Sequence, residues 1–175
     1  GMRFRGLQIP DNATITNAYI QFRADENRTG TTNLVIRGHR TADASGFTTS
    51  NRNISNRSRT NASVNWSPVG WPTVNEVSSR QRTPNLSSII QEIVDLSGWS
   101  SGNDIVIIVE GSGRRTADSY NGSSSNAPLL VVEFEYLSGI RVNAFDQVGE
   151  VSRASIYPNP VKDIVMIDFT GEKGT

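Results

Sequence analysis

The sequence predicts an all-β protein, a jelly-roll-like β-sandwich with one short helix. Short segments that alternate apolar and polar residues recur along the chain, and polar turns separate them. One segment alone has helical periodicity. Many short strands joined by polar turns are typical of sandwiches and barrels, and 175 residues are enough to bury such a core.

The first predicted strands cover residues 2–9, 13–25 and 32–40. In the second of them, Ile20 and Phe22 alternate with polar residues, which predicts one buried face. The sequences IPDN and DENRTG before and after this strand are rich in turn-forming residues. A meander of strands is therefore expected at the start of the chain.

Residues 41–63 lose this periodicity and consist mainly of Ser, Thr, Asn and Arg, which predicts a long surface loop. A short strand is expected in the sequence ASVNWSP that follows. A helix is predicted near residues 84–97, with Thr83 as N-cap, Pro84 at the first helical position and Gly98 at the end. Apolar residues recur there at helical spacing: Leu86, Ile89, Ile90 and Ile93.

The last two strands of the predicted sandwich differ in character. Residues 104–111 are apolar on both faces, which predicts a central strand that is covered on both sides. The sequence LLVVEFEY points its apolar residues inward, with Glu133 and Glu135 outward. If the first and last strands are neighbours, Arg3 and Arg5 would form cross-strand ion pairs with these two glutamates.

Composition excludes several classes of protein. The chain has no cysteine, so disulfides and thiolate chemistry are excluded, and no apolar run is long enough to span a membrane. Its net charge of zero argues against nucleic-acid binding. A lone histidine, His39, gives little support to a metal site or a catalytic triad and favours a structural or surface role.

Basic and amide side chains make the long loop a candidate binding site. No acidic residue occurs from position 44 to 75, and Arg52, Arg57 and Arg59 alternate with asparagines. Such residues suit sugar hydroxyls and acidic or sulfated groups, and Trp71 could offer an apolar platform to a pyranose ring. The sequence thus predicts polysaccharide binding here, with anionic glycans favoured. The alternative is ordinary solvated turn composition.

Catalysis and metal binding have weaker support. Glycoside hydrolysis needs two carboxyl groups roughly 5 to 10 Å apart, and the available ones fall at turns or on an outward strand face: Asp25, Glu26, Asp118, Glu133 and Glu135. We therefore predict that the chain is not an enzyme and needs no cofactor. Calcium is the one open alternative, because ADASG and SGND could supply oxygen ligands, although neither has EF-hand spacing.

The sequence SIYPNPVKDIVMIDF, at residues 155–169, resembles the start of the C-terminal sorting domain of the type IX secretion system of Bacteroidetes. Pro158, Asn159 and Pro160 match the Pro-Asn-Pro turn, and an alternating strand follows. The resemblance implies export to the cell surface or medium by that secretion machinery. The alternative is an ordinary turn before a strand. Residues 138–154 are predicted to be a linker and residues 155–175 the start of the sorting domain.

The body of the chain is similar to β-sandwich modules of secreted bacterial proteins, the disaggregatase-related and DNRLRE-type carbohydrate-binding modules. The sequences MRFRGLQIPDNATITNAYIQFRADE and SGRRTADSYNGSSSNAPLLVVEFEY carry this similarity. It implies one sandwich module over residues 1–137, truncated at its N-terminus. No family ligand motif is found that would assign a binding residue.

Two functions are compatible with these features. The first is a non-catalytic carbohydrate-binding or adhesive module of a larger secreted or cell-surface protein. The second is a structural spacer without a ligand, and a polysaccharide-degrading enzyme is a less favoured third. An exposed aromatic residue in a concave site lined by Arg and Asn would favour the first function.

Overall fold

The computed structural model describes residues 1–137, 150–158 and 165–168, and the side chains of residues 1–136. Within these ranges the chain forms strands, one α-helix and two short 3-10 turns. The strands are β1 (Met2–Phe4), β2 (Thr14–Gln21), β3 (Asn33–Gly38), β4 (Val64–Trp66), β5 (Ile105–Ser112), β6 (Leu129–Leu137), β7 (Glu150–Pro158) and β8 (Val165–Asp168). The α-helix is α1 (Ser87–Val94), and the 3-10 turns are Ser79–Gln81 and Ser124–Asn126.

These strands form two antiparallel sheets. One sheet has the order β1-β5-β3-β4 and the other the order β2-β6-β7-β8. The prediction of an all-β, sandwich-like protein with one short helix is confirmed. The loop prediction is confirmed too, because residues 41–63 contain no strand or helix.

A single large apolar core joins the two sheets and the helix. Phe4, Ile36 and Ile107 come from the first sheet, and Ile20 and Val132 from the second, and none of the five is exposed to solvent. The four apolar residues predicted for the helix are also fully buried in this core. Each such side chain contributes roughly 1.5 to 3 kcal/mol to folding through its removal from water.

Strand β5 is covered on both faces, as its sequence predicts. Ile105 and Ile107 belong to the large core. On the opposite face, Val106 and Ile108 pack with Ala44, which comes from the long loop. The loop therefore covers the outer face of the sheet β1-β5-β3-β4.

The start of helix α1 differs from the prediction. The helix begins at Ser87, and Thr83 does not cap it. The Thr83 hydroxyl instead accepts a hydrogen bond from the backbone N–H of Ile20 at 3.0 Å, while the Thr83 N–H donates to the Ile20 carbonyl at 3.1 Å. Thr83 followed by Pro84 is a typical start of a helix. The open edge of β2 binds the Thr83 hydroxyl instead, so this hydroxyl is not available to cap the helix.

Residues 71–91, the edge segment, run along the open edge of strand β2 and its extensions. At one end Trp71 and Arg28 exchange two backbone hydrogen bonds, of 2.8 and 2.9 Å. At the other end the Gln91 side chain accepts from the Ile15 N–H at 2.7 Å and donates to the Ala13 carbonyl at 3.1 Å. The edge segment thus satisfies backbone groups that an open edge would offer to other chains.

The expected ion pairs between the first and last strands are absent among the described residues. Strand β1 pairs with β5 and belongs to the sheet that does not contain β6. Arg3 and Arg5 pair with Asp104 instead, and Glu133 accepts a hydrogen bond from the Asn17 amide at 3.3 Å. The prediction was wrong because the condition on which it rested, adjacency of β1 and β6, is not met.

Strand β7 extends the second sheet by pairing with the whole of β6, from Leu129 opposite Pro158 to Leu137 opposite Glu150. It therefore occupies the last part of the predicted linker, 138–154, whose sparse apolar residues gave no strand signal. Strand β8 pairs in turn with β7. Pro158 is the last residue of β7, whereas Asn159, Pro160 and residues 138–149 lie outside the described residues.

Among the described residues, no helix has the length and apolar character of a membrane span.

Replacing Gln91 by alanine should lower the free energy of unfolding by about 1 to 3 kcal/mol, because two backbone groups at the edge of β2 lose their partner. Ser88→Ala is the matched control, since Ser88 is exposed on the same helix, and its effect should stay within about 0.5 kcal/mol. Denaturant unfolding of both variants checks the prediction. Equal stability of the two variants would contradict the role assigned to Gln91.

Candidate functional site

The long loop, residues 41–63, is fixed to the outer face of the first sheet. Near its start the Ala44 N–H donates to the Asp104 carbonyl at 3.0 Å. Near its end Thr60 and Gly38 exchange two hydrogen bonds, one through the Thr60 hydroxyl at 2.9 Å. A loop held at both ends presents its remaining side chains in a defined arrangement, which lowers the entropic cost of binding a ligand.

Arg57 lies inside the loop, and its side chain holds the loop together. Its guanidinium donates to the carbonyls of Ser45 at 3.0 Å, Gly46 at 2.8 Å and Asn53 at 3.1 Å. It also lies 4.9 Å from the centre of the Phe47 ring. Only 9% of Arg57 is exposed, and burial, followed by the nearby charge of Arg3, lowers the pKa of its guanidinium. The prediction that Arg57 offers its charge to a ligand is therefore wrong.

Arg59 is also committed to contacts within the protein. Its guanidinium forms an ion pair with Glu110 on β5 at 2.8 Å and donates to the carbonyls of Ile54 and Arg57. The Arg59 hydrogen bond outweighs the opposing effect of desolvation and lowers the pKa of Glu110 below its usual value, which favours its carboxylate form. Arg59 therefore connects the loop to the sheet and offers less of its charge to solvent than its sequence position suggests.

Arg52 is the one predicted arginine that faces solvent with an uncommitted side chain. Its backbone has a positive φ of 58° and accepts a hydrogen bond from the Asn56 N–H at 2.9 Å. The guanidinium makes no hydrogen bond or ion pair with any described residue. Its position at the tip of a tight turn leaves all its donors available to a ligand.

A polar groove of about 520 Å³, the loop groove, lies beside Arg52. Arginine, asparagine, serine and histidine side chains line it: His39, Ser45, Ser50, Asn51, Arg52, Asn53, Asn56, Arg57 and Ser58. This groove brings together two of the predicted arginines with three asparagines of the same loop. It has the polar donors and acceptors that recognition of sugar hydroxyls requires.

His39 lies at the wall of the loop groove and has a structural partner. Its Nδ1 lies 3.3 Å from Nη1 of Arg57. Partial burial, followed by the charges of Arg57 and Arg59, lowers the pKa of His39 below 6.5. The imidazole is therefore neutral at neutral pH and accepts the arginine N–H through Nδ1. This agrees with the structural role predicted for the histidine.

Trp71 does not form the predicted sugar platform, because only 1% of it is exposed. Its ring packs with Phe22 and Trp66 in the core, and its indole N–H donates to the Arg80 carbonyl at 2.8 Å. Gly and Pro on either side of Trp71 suggested an exposed turn. The structure instead places this residue at the start of the edge segment, with its side chain directed inward.

Three of the five carboxylates considered for catalysis contact an arginine, amide or hydroxyl group: Glu26, Asp118 and Glu133. Glu26 accepts from Thr116 at 2.8 Å and from Arg28 and Arg114, and the Thr116 hydrogen bond, followed by that of Arg28, lowers the pKa of Glu26. Asp118 lies 3.8 Å from Arg23. A glutamate held in its charged form is not suited to donate a proton as a general acid.

The two segments considered for calcium lie side by side in the structure. Asp43 of ADASG accepts a hydrogen bond from the Asp104 N–H of SGND at 3.0 Å. The Asp104 carboxylate is engaged by the Gly6 N–H at 2.8 Å and by Arg3 and Arg5. No group of three acidic or histidine ligands that could hold a metal occurs among the described residues.

A second groove was missed by the sequence analysis. This strand groove, of about 450 Å³, lies where β1, the long loop and the loop before β6 meet. Its lining includes two arginines and two aromatic residues, namely Arg3, Arg5, Phe47 and Tyr120. The signal was present in the sequence as isolated aromatic residues within the polar runs SGFTTS and DSYNGS. Phenylalanine and tyrosine rings can offer the same apolar platform to a sugar as a tryptophan ring.

Arg57→Ala should lower the free energy of unfolding by about 2 to 4 kcal/mol, because three partly buried carbonyls lose a charged donor at once. Arg52→Ala should change it by less than about 0.5 kcal/mol, since that side chain has no partner in the described structure. Thermal or denaturant unfolding of the two variants checks the contrast. Equal effects would mean that Arg57 does not hold the loop.

The chain was compared with family models, with curated proteins and with solved structures, and no match was found in any of the three comparisons.

Proposed function

We propose that the chain is a non-catalytic carbohydrate-binding or adhesive module that takes an anionic glycan. The observation that carries this proposal is the loop groove, where the uncommitted guanidinium of Arg52 stands beside Asn51, Asn53 and Asn56. A guanidinium binds carboxylate or sulfate through two parallel hydrogen bonds. Amide groups supply the donors and acceptors that match sugar hydroxyls.

The charge balance around the loop supports an acidic ligand. Arg52 lines the loop groove and has no carboxylate partner among the described residues, so its charge is the one that the loop offers to a ligand. From residue 44 to 75 the chain contains no acidic residue. The loop therefore presents excess positive charge, which attracts anions and disfavours cations.

Arg52→Ala should weaken retention of the protein in a gel that contains a sulfated or uronic polysaccharide, by about tenfold in apparent affinity, because a charge-assisted pair is lost. Arg80→Ala is the matched control: it removes the same charge from a position on the edge segment that is 53% exposed and does not line the groove. A gel without polysaccharide corrects for the altered mobility. Equal retention of both variants would contradict the proposal.

A structural spacer is the second candidate function. It is favoured by the finding that Arg57, Arg59 and Trp71 make contacts within the protein. Screening the protein on a glycan array distinguishes the two functions. A spacer binds no glycan, whereas the proposed module binds sulfated or uronic glycans in preference to neutral ones.

We also propose that the module is exported by the type IX secretion machinery and is secreted or held at the cell surface. The support is the resemblance of residues 155–169 to the start of a sorting domain. Pro158 ends strand β7, and the antiparallel strand β8 follows it in the sequence, so the motif joins two paired strands.

The export proposal is tested by a fusion. The part of the protein from residue 138 to its natural C-terminus is joined to a periplasmic reporter in a bacterium that has type IX secretion. We expect the reporter to reach the cell surface, and we expect changes at Pro158 and Pro160 to Ala to reduce its export. If the fusion stays in the periplasm while an established sorting domain exports the same reporter, the motif is only a turn.

A further inference from the structure

The strand groove differs from the loop groove in having exposed aromatic surface. Phe47 is 39% exposed, and the Arg57 guanidinium lies 4.9 Å from its ring centre. Tyr120 lines the same groove, and its hydroxyl makes no hydrogen bond with any described residue. Aromatic rings at an open groove offer the apolar C–H face of a pyranose a surface to stack on.

The same groove carries a cation whose charge is only partly neutralised. Asp104 serves both arginines: Arg3 pairs with it closely, whereas Nε of Arg5 lies 3.9 Å from its nearer oxygen. The Arg5 side chain is 56% exposed, and its two terminal nitrogens make no hydrogen bond with described residues. One carboxylate cannot neutralise two guanidinium groups, so Arg5 retains the capacity to bind an anion.

Arg57 joins the two grooves through neighbouring loop residues. It donates to the carbonyl of Ser45, which lines the loop groove, and to that of Gly46, which lines the strand groove. Successive residues of one rigid loop therefore form part of the wall of each groove. The two grooves therefore adjoin at this stretch of the loop.

We propose that the strand groove is a second subsite for the glycan, which takes a uronic acid residue. Its carboxylate binds the fork of Arg5, its ring packs on Phe47 and Tyr120, and the Asn121 amide faces its hydroxyls. This inference rests on the proposed function. It adds the chemistry of one sugar residue: a pyranose that carries a carboxylate and one apolar face.

The test uses a short oligogalacturonate and its methyl-esterified form, which has the same rings without the charge. Amide NMR spectra of the full chain are recorded during titration with each oligomer. We expect shifts at residues 3–5, 46–47 and 119–121 with the acidic oligomer. Arg5→Ala should weaken its binding about tenfold and leave binding of the ester nearly unchanged, whereas Phe47→Leu should weaken both forms.

Arg80→Ala is the matched control for Arg5→Ala. Its side chain is 53% exposed, and its Nε lies 3.9 Å from Glu76, which repeats the exposure and ion-pair distance of Arg5 at another surface. This variant should bind the acidic oligomer as the natural chain does. Unfolding curves of Arg5→Ala and Phe47→Leu establish that the variants remain folded at the titration temperature.

Two results would overturn the inference. If the acidic oligomer shifts only residues 50–58 and Arg5→Ala binds like the natural chain, the strand groove is not a subsite, while the proposed function stands. If oligogalacturonate does not bind at all, the uronic subsite is excluded, and retention of the natural chain on a sulfated gel then decides the proposed function separately.

Discussion

The buried guanidinium of Arg57 is the interaction on which the rest of the candidate site depends. A charge that leaves water without an opposite charge beside it is costly unless hydrogen bonds replace its hydration. Here carbonyl groups of the loop itself supply those hydrogen bonds, together with the neutral ring of His39. The loop folds around this cation, with these carbonyls directed toward it and with Arg52 and the amides of Asn51 and Asn56 left at the groove.

Helix α1 connects this loop to the second sheet through two neighbouring residues. Gln91 binds the open edge of β2, and Glu92 accepts the N–H groups of Asn61 at 2.9 Å and Ala62 at 2.7 Å at the end of the loop. Desolvation alone would raise the pKa of Glu92, but these backbone donors, with Arg40, outweigh it and lower the pKa. The edge of one sheet and the loop on the other are thus tied to the same short helix, which favours a single arrangement of the site.

Local sequence patterns predicted most of the fold, because strand alternation and helical spacing are properties of neighbouring residues. The inward residues of β2 and β6 are buried as the alternation indicates, and β5 is covered on both faces as its apolar run indicates. Pairing between distant segments was not accessible in this way. The residues that surround β1 in the sequence do not indicate that its acidic neighbour is Asp104 rather than Glu133.

The site was predicted less well than the fold, because it depends on contacts between segments that are distant in the sequence. Composition indicates where cations are, but it does not indicate which of them find carbonyl or carboxylate partners inside the protein. Arg52 and Arg57 therefore look alike in the sequence, although one is exposed and the other holds the loop. Whether a single aromatic residue is exposed also depends on the assembled fold. The fold places Phe47 in a groove and Trp71 in the core.

We propose that the rigid, positively charged surface of the long loop selects acidic glycans. Calorimetric titration of the chain with a sulfated polysaccharide and with its desulfated form tests it most directly, at salt concentrations of roughly 0.05 and 0.5 M, between which electrostatic screening strengthens greatly. We expect the sulfated form to bind more tightly than the desulfated form, with an affinity that falls as salt rises. Equal affinity for both forms, or an affinity unaffected by salt, would contradict it.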